Sequence, residues 1–303
     1  MLSEEENDLL TRVGPGTPGG EMLRRYWQPA ALMDELPVGG APLPIRLLGE
    51  DLVLFRDDAG RPGLLGLHCQ HRGADLSYGR LEDGGLRCIY HGWLYDAHGR
   101  CLEQPGEPAG STFHEKIVAR SYPCREVGGL ILTYMGPGEP PEVPRYPFLM
   151  APDECRANSK LFSECSYLQA NEGNIDSVHL GILHMGDPLN RSNIRGYDLV
   201  EPIETDYGLR IFFLRHERAD ADLLHIRHFV MPNLSPGGLS PGGRPDTVNW
   251  HVPIDDTHHW KYWITASPEP IDKAGALNGR ADLTSDYQLI RNKSNRYLQD
   301  RAE

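Results

Sequence analysis

Residues 69–93 read CQHRGADLSYGRLEDGGLRCIYHGW, and they contain two short motifs that each combine one cysteine with one histidine. Cys69 and His71 form a C-x-H motif, Cys88 and His91 form a C-x-x-H motif, and sixteen residues separate the two motifs. Glycines within the stretch favour tight turns, because glycine adopts left-handed backbone conformations at little cost. Two thiolates and two imidazoles on two facing loops can therefore hold a metal centre.

The mixed composition of each motif distinguishes between the metal centres that these residue types can form. Zinc fingers pair cysteine with cysteine and histidine with histidine, whereas each motif here supplies one of each. A Rieske [2Fe–2S] centre requires two cysteines on one iron and two histidines on the other. The pattern therefore favours a Rieske centre over a structural zinc ribbon, and over four buried residues with unrelated roles.

The stretch also resembles the Rieske motif of ring-hydroxylating oxygenases, including the flanking Arg72-Gly73-Ala74 and Tyr90-His91-Gly92-Trp93. One departure is Ile89, where relatives commonly carry proline. That position shapes the loop and is not a ligand. The resemblance implies that Cys69, His71, Cys88 and His91 bind the cluster, and that Trp93 shields it.

Composition excludes several other classes of protein. The 303 residues carry 43 acidic and 30 basic side chains, a formal charge of −13. No run of lysine or arginine supports nucleic-acid binding. The acidic start MLSEEENDLL is unlike a secretory signal, and no apolar run reaches the roughly eighteen residues that span a bilayer. These features predict a cytoplasmic protein outside the membrane.

The six cysteines do not indicate a disulfide framework, because nothing in the chain points to secretion. Two of them belong to the motifs described above. We expect the other four to be free, partly buried thiols: Cys101, Cys124, Cys155 and Cys165.

Local patterns predict two short helices followed by a small β domain. Ser3 and Glu6 have capping-box spacing, and residues 21–27 predict the second helix. Short strands with intervening turns then predict an antiparallel domain that ends at the Pro/Gly-rich stretch 136–141. The predicted strands are 45–48, 52–55, 63–67, 122–127 and 130–134.

Beyond that boundary the pattern alternates between helix and strand. Residues 168–184 form a helical insert, and residues 282–303 return to helical spacing. The strands between them are predicted at 203–204, 209–215, 224–231, 248–254 and 260–266. An open antiparallel sheet gripped by helices is the expected product.

The resemblance assigns these segments to an α+β fold. It implies a Rieske [2Fe–2S] antiparallel β domain plus a helix-grip (START/Bet v1-like) catalytic domain with an antiparallel sheet. The corresponding division is 1–39 for N-terminal helices that pack on the catalytic domain, 40–140 for the Rieske domain, and 141–303 for a catalytic mononuclear-iron domain that is incomplete at its C-terminus.

A second group of candidate ligands lies in the helical insert, where Asp176, His179 and His184 are spaced D-x2-H-x4-H. On a helix, Asp176 and His179 would lie about one turn apart. His184 would be rotated by about 140° from His179, so a bend is needed, and Gly181 offers a place for it. Two imidazoles plus a carboxylate that leave positions open form the facial triad of non-haem Fe(II) oxygenases.

This segment resembles the catalytic helix of phthalate-dioxygenase-like Rieske oxygenases. The resemblance implies that His179 and His184 bind a mononuclear Fe(II). It also implies that Asp176 bridges His179 to His91 of a neighbouring subunit in a head-to-tail trimer, a role that suits a carboxylate orienting two ligand imidazoles. Asn171, Glu172 and Asn174 line the same helix and are candidates only for lining the site.

The third iron ligand is left open by the sequence. In the family, a carboxylate on a C-terminal helix completes the triad. Asp300 could be that carboxylate, or the given chain could stop before the ligand, which is the interpretation we favour because residues 295–298 resemble the helix that precedes it. Asp255 and Asp256 lie in a predicted turn and are expected to be turn formers.

Two functions of different classes follow from these motifs. The first is the oxygenase component of a Rieske non-haem iron system, which uses O2 and reductase-supplied electrons to hydroxylate (cis-dihydroxylate) or O-demethylate an aromatic substrate. The expected partners are a flavin/NAD(P)H reductase, with or without a ferredoxin, and a second and third copy of the chain in a trimer or stacked hexamer. The alternative is an electron-transfer protein without oxygen chemistry.

Resemblance to the phthalate group suggests a carboxylated aromatic substrate. A bidentate arginine would suit its carboxylate, and Arg195, Arg210 and Arg227 follow the iron-binding segment. For any one of these arginines, however, an exposed salt bridge is the expected role. The remaining histidines lack ligand spacing and are expected to have core or surface roles.

Overall fold

The structure is a computed structural model that describes residues 2–183, 196–218, 221–237, 246–276 and 282–299. The chain forms two compact units. The first unit comprises residues 1–150 and 253–256, and the second comprises residues 151–252 and 257–303.

The first unit begins with two short helices whose ends are fixed by side chains. Helix α1 (Glu4–Thr11) starts at the capping box that the sequence predicts, with Glu6 N–H donating to Ser3 Oγ. Helix α2 (Pro18–Arg24) starts at Thr17, whose hydroxyl accepts from Gly20 N–H, and has proline at its first position. Local signals predicted the start of α1, whereas α2 begins and ends three residues before the predicted range 21–27, because Thr17 and Pro18 start it.

A buried ion pair joins these helices to residues 48–50 within the first unit. The Arg24 guanidinium donates to the carbonyls of Val13 and Leu48 at 3.0 and 2.7 Å, and it contacts the Glu50 carboxylate at 3.1 Å. A buried guanidinium requires a carboxylate and carbonyl acceptors, and residues 13, 48 and 50 supply them. The same N-terminal segment contacts Asp256 through Arg12 and the Val13 N–H. The division into residues 1–39, 40–140 and 141–303 stays a prediction.

Three antiparallel sheets make up the rest of the first unit, in the orders β2-β3-β4-β9, β5-β6-β7-β8 and β1-β11-β10. A short helix, α3 (Pro147–Met150), follows them. The strands are β1 (Gln28–Leu32), β2 (Leu43–Leu47), β3 (Glu50–Arg56), β4 (Pro62–Gly66), β5 (Arg80–Glu82), β6 (Gly85–Arg87), β7 (Leu94–Tyr95), β8 (Cys101–Glu103), β9 (Ser121–Tyr122), β10 (Cys124–Val127) and β11 (Leu130–Thr133).

The core of the first unit extends directly under the two motif loops. Val53 and Phe55 of β3 pack with Leu65 of β4, and the same cluster of fully or nearly buried side chains includes Cys69 and Cys88. Burial of this apolar surface stabilises the loops by about 25 cal/mol per Å². The positions of the two thiols are therefore fixed by the core and not by the loops alone.

A seven-stranded antiparallel sheet dominates the described part of the second unit, in the order β12-β18-β17-β16-β15-β14-β13. Helix α4 (Tyr167–Ile175) packs against β15 and β16, and two one-turn helices are α5 (Leu180–Leu183) and α6 (Lys273–Ala276). The strands are β12 (Arg156–Ser163), β13 (Leu199–Thr205), β14 (Gly208–Arg218), β15 (Ala221–Val230), β16 (Leu234–Pro236), β17 (Asp246–Pro253) and β18 (His259–Ala266). The α+β class and the predicted strands are confirmed.

The predicted C-terminal helix is not found in the described residues 282–299. Only a short 3-10 segment, Lys293–Leu298, is present, and Arg296 and Tyr297 within it have left-handed backbone angles. Several of the apolar side chains that suggested the helix are exposed, including Ile290 at 44% and Leu298 at 61%, and Leu283 and Tyr287 are only partly buried. Helical periodicity yields a stable helix only where its apolar face is covered, so the prediction was wrong for this segment.

The structure also bears on two further predictions, the state of the cysteines and the presence of membrane-spanning helices. All six cysteines are free, and five of them are buried. Among the described helices, none combines the length and the apolar character needed to cross a bilayer.

Candidate metal centres

Two similar loops of the first unit present the Cys and His side chains of the motif stretch. In the first loop, Cys69 N–H donates to Ala74 O and Gly73 N–H donates back to Cys69 O, both at 2.9 Å. In the second, Gly92 N–H donates to Cys88 O at 3.0 Å. Gly73 and Gly92 have φ of 68° and 76°, a conformation that side chains with a Cβ rarely adopt. The glycines that flank each histidine therefore close the loops.

The structure brings the two loops together. The ring centroids of His71 and His91 lie 4.4 Å apart, and Cys69 and Cys88 belong to the same buried cluster beneath the loops. Trp93 stacks on His71 at 4.7 Å with an interplanar angle of 8°. His91 is exposed, whereas His71 is half-buried. The four side chains that the sequence predicts as cluster ligands therefore share one site.

This residue set fits a [2Fe–2S] centre. His71 Nδ1 is buried and has no hydrogen-bond partner among the described residues, which is unusual for a buried polar atom unless it binds something else. No three His, Cys, Asp or Glu side chains of the described residues could hold one ion together. A Rieske centre needs no such group, because each iron takes only two protein ligands.

A buried tyrosine next to this site was not predicted from the sequence. Tyr95, at the end of β7, places its hydroxyl 3.3 Å from Cys69 Sγ, and it accepts from Gln70 N–H at 3.2 Å. Burial raises the pKa of both Tyr95 and Cys69, so the phenol remains protonated. A bound metal would keep Cys69 as a thiolate, and Tyr95 would then donate to sulfur. Its position seven residues after Cys88 is the only sequence signal for this contact.

The second candidate site forms where α4 ends. Asp176 leaves the helix with extended backbone angles, and its Oδ1 accepts from Val178 N–H at 2.6 Å. His179 Nδ1 lies 3.2 Å from Asp176 Oδ2, and the His179 carbonyl accepts from Leu183 N–H at the start of α5. The spacing of the segment predicts a helix through Asp176 and His179 with a bend at Gly181. The break lies earlier, because the Asp176 side chain binds the backbone two residues on and competes with the helix.

A cavity of about 500 Å³ in the second unit is lined by Asp176 and His179. Its floor is one face of the sheet, since Arg227 of β15, His251 of β17, and His259 and Lys261 of β18 also line it. Residues two apart on a strand point to the same face, which explains why His259 and Lys261 lie side by side.

The cavity wall is polar and carries two cationic side chains. Arg227 Nε donates to Ser177 Oγ at 3.0 Å, and burial lowers the pKa of the Arg227 guanidinium. Burial likewise lowers the pKa of Lys261, whose ammonium lies 5.5 Å from the centroid of the Trp263 ring. Neither cation forms an ion pair with a carboxylate among the described residues. Of the arginines proposed for substrate binding, Arg227 lines the cavity, Arg210 does not, and Arg195 lies outside the described residues.

Of the ligands expected for the iron, the described residues include one, His179, and its surroundings fit that role. His179 lines the cavity, and its Nδ1 faces a carboxylate, which is the usual arrangement for the outer nitrogen of a ligand histidine. His184 and Asp300 lie outside the described residues, so their roles as ligands stay predictions.

The buried histidines of the cavity were not predicted as site residues. His251 and His259 are fully buried, and their Nδ1 and Nε2 atoms are 3.1 Å apart. Because these histidines lack ligand spacing, core or surface roles were expected for them. The only sequence signal for their proximity is that they lie on consecutive strands, β17 and β18, which are neighbours in the sheet.

Comparison with known protein families identifies the domain that contains the first of these candidate sites. Residues 26–123 match the family described as the Rieske [2Fe–2S] domain. Over 99% of this chain and 74% of the relative, the sequence is 36% identical to the phthalate 4,5-dioxygenase oxygenase subunit of Pseudomonas putida. It is 37% identical to the 5,5'-dehydrodivanillate O-demethylase oxygenase subunit of Sphingobium sp., over 84% of this chain and 61% of that relative.

Solved structures show the same fold at lower sequence identity. The terminal oxygenase of carbazole 1,9a-dioxygenase from Novosphingobium sp. KA1 superimposes with a TM-score of 0.66 at 19% identity, covering 96% of this chain and 82% of that one. Dicamba monooxygenase superimposes with a TM-score of 0.65 at 21% identity, covering 86% and 83%. These structures show the shared fold, and the long match to the phthalate 4,5-dioxygenase oxygenase subunit shows the family: the chain belongs to the oxygenase subunits of the Rieske non-haem iron oxygenases that hydroxylate or demethylate aromatic compounds, in the phthalate-dioxygenase-like group.

Proposed function

We propose that Cys69, His71, Cys88 and His91 hold the Rieske cluster and that His179 and His184 bind the mononuclear iron of this oxygenase. The observation that carries the second assignment is the contact between Asp176 and His179 at the wall of the cavity. When bound, the two metal groups supply one-electron transfer and O2 activation, respectively. The protein's own contribution is to orient the ligands, admit the substrate and exclude water.

We further propose that Asp176 links the two centres across a subunit boundary, as the resemblance implies. Its side chain is 44% exposed although it already engages His179. His91 is exposed on the first unit and is therefore accessible to a neighbouring copy. A carboxylate that accepts from one imidazole in each of two chains would hold both rings at a fixed distance. The assembly that would provide this contact is a head-to-tail trimer, or a hexamer of two trimers. We also propose that the protein is cytoplasmic.

The expected electron donor is a separate redox protein. Carbazole 1,9a-dioxygenase has been solved as a complex between its oxygenase and a ferredoxin. For this chain we propose a flavin/NAD(P)H reductase, with or without a ferredoxin, which would approach the exposed side of the cluster loops.

The substrate that suits the cavity is an aromatic acid. The volume of about 500 Å³ accommodates a substituted benzene ring. Arg227 and Lys261 supply positive charge inside the cavity, and burying a cation is costly unless an anion or a hydrogen-bond acceptor accompanies it. A carboxylate on the ring would meet that requirement, and the names of relatives that act on phthalate and on chlorobenzoate are consistent with it.

Iron analysis tests the proposed pair of metal sites. Anaerobically purified protein should contain about three irons per two acid-labile sulfides, and the reduced sample should give a Rieske EPR signal. About two irons per two sulfides, unchanged after addition of Fe(II), would instead support the alternative, an electron-transfer protein.

Substitution of Lys261 tests the substrate class. Lys261→Met keeps the length of the side chain and removes the charge. With phthalate as the probe, substrate-dependent O2 uptake should show a KM about 10- to 100-fold higher, corresponding to the loss of one charge-assisted hydrogen bond. Dimethyl phthalate, which lacks the charge, is the matched control, and its KM should change little. Equal KM values for phthalate in the wild type and the variant would rule out a carboxylate site at Lys261.

A further inference from the structure

A continuous row of hydrogen bonds crosses the cavity floor and ends on helix α4. His259 Nδ1 lies 2.9 Å from Cys165 O, and His259 Nε2 lies 3.1 Å from His251 Nδ1. His251 Nε2 lies 2.9 Å from Asn174 Nδ2, on the last turn of α4. Both histidines are fully buried, so water does not compete for these bonds.

The direction of every proton in this row follows from its first member. The carbonyl of Cys165 can only accept, so His259 Nδ1 carries a proton. Neutral His259 must then accept at Nε2, and His251 must donate from Nδ1. Neutral His251 accepts in turn at Nε2, so the amide group of Asn174 donates to it. Burial lowers the pKa of both histidines, which agrees with this neutral pair.

The amide of Asn174 has only one orientation that satisfies its neighbours. Its Nδ2 donates to Ala170 O at 2.7 Å as well as to His251, and its Oδ1 accepts from Asn249 Nδ2 at 2.7 Å. Rotation of the amide by 180° would place its oxygen against two acceptors, Ala170 O and His251 Nε2. Asn249 and His251 both belong to β17, so this one side chain fixes the end of α4 to the sheet.

The carboxylate at the iron site follows two residues later. Asp176 ends α4 and contacts His179. We infer that Asn174 is a positioning residue, held in one orientation by the His259–His251 row, which fixes the point where α4 ends and thereby the direction of the Asp176 carboxylate toward His179. This inference rests on the proposed function, in which His179 binds iron.

Fe(II) affinity is the measurement that tests the inference. The full-length protein with an intact cluster is stripped of its mononuclear iron, and Fe(II) binding is measured by competition with a chelator. The EPR spectrum of the Fe(II) complex with nitric oxide reports the geometry of the site independently of turnover. Asn174→Ala should lower Fe(II) affinity by about 10- to 100-fold, the usual range for residues that orient ligands, and should broaden the nitric oxide spectrum.

Substitutions of His251 separate positioning from general loss of structure. Gln can accept the Asn174 proton from the place of Nε2, so His251→Gln should keep Fe(II) affinity within about threefold of wild type. His251→Phe fills the same space without a nitrogen, and it should reproduce the Asn174→Ala result. The matched control is Ser235→Ala, which removes the buried 2.9 Å hydrogen bond from Ser235 to Asn171, one turn earlier on α4. It should lower the thermal midpoint about as much as Asn174→Ala while Fe(II) affinity is retained.

Two results would overturn the inference. One is Fe(II) affinity and a nitric oxide spectrum of Asn174→Ala that equal those of the wild type. The other is a loss of affinity in Ser235→Ala as large as that in Asn174→Ala, since the effect would then be one of stability. If the wild-type protein binds no Fe(II) beyond its cluster, the proposed function itself fails, and the variants are not needed to show it.

Discussion

Replacing Tyr95 by phenylalanine removes one hydroxyl next to Cys69, a proposed cluster ligand, and leaves the aromatic packing in place. The hydroxyl lies 3.3 Å from Cys69 Sγ, and its oxygen already accepts from Gln70 N–H. Its own proton is therefore directed to sulfur when Cys69 is a metal-bound thiolate. Reduction of the cluster adds negative charge to the sulfurs, so this hydrogen bond strengthens and stabilises the reduced state.

The expected size of the effect follows from the energy of one such bond. A hydrogen bond to a charged group contributes about 1.5–3 kcal/mol, and only the part that depends on the added electron affects the potential. Taking that part as about 1 kcal/mol, and about 59 mV per 1.4 kcal/mol for a one-electron couple, Tyr95→Phe should lower the reduction potential by about 40 mV.

A redox titration followed by EPR or circular dichroism measures this shift. Tyr134→Phe is the matched control, because Tyr134 is also buried in the first unit and its hydroxyl donates to Pro137 O, away from the cluster ligands. The control should leave the potential within about 10 mV of wild type. A potential of Tyr95→Phe that also stays within that range would refute the proposed donation to sulfur.

Three further predictions concern the iron site and stability. Asp176→Asn should leave the cluster spectrum intact while substrate oxidation falls by about 10- to 100-fold or more; full turnover in that variant would exclude the bridging role. Burial lowers the pKa of His251 from 6.5 to about 2, so below pH 6.5 this residue binds a proton in the unfolded chain but not in the folded one. The free energy of unfolding should therefore fall as the pH decreases from 6.5 toward 2, by at most about 1.4 kcal/mol per pH unit for this group. Urea unfolding at pH 7 and pH 5 should show a smaller loss in His251→Gln than in the wild type, and equal losses would contradict this account. Glu50→Gln leaves the buried Arg24 without its counter-charge, so the free energy of unfolding should fall by about 3–5 kcal/mol, whereas the exposed Asp51→Asn should change it little.

The cluster site could be predicted from sequence because its information is local. Ligand type and spacing lie within the 25 residues from Cys69 to Trp93, and glycines flank each histidine. Short alternating patterns and turn residues predicted β2–β4, β9–β11, β13–β15, β17 and β18, whereas β1, β5–β8, β12 and β16 were missed. The contact between Tyr95 and Cys69 could not be predicted in this way, because it depends on how β7 returns beneath the first loop.

Where prediction was wrong, a side-chain contact or missing burial overrode the local pattern. Asp176 lies in a segment with helical spacing, but its carboxylate binds Val178 N–H and ends the helix. Arg24 pairs with Glu50, 26 residues away, and nothing in the sequence selects this partner from 43 acidic side chains. The apolar residues after 282 have helical spacing, yet none of those that the structure describes is fully buried, so the pattern lacks the packing that would make it a helix.

The turn at Asp176 has a consequence for how this motif tolerates change. One carboxylate closes two rings, one onto Val178 N–H and one onto the His179 imidazole, so the distance along the chain between Asp176 and His179 is set by ring closure and not by helical pitch. The outward-facing Val178, which is 48% exposed, can vary in kind, whereas a single insertion or deletion between Asp176 and Val178 would open both rings at once. Asp-x-x-His in this setting is a turn of fixed length, and related sites can be sought in chains where no helix is predicted at all.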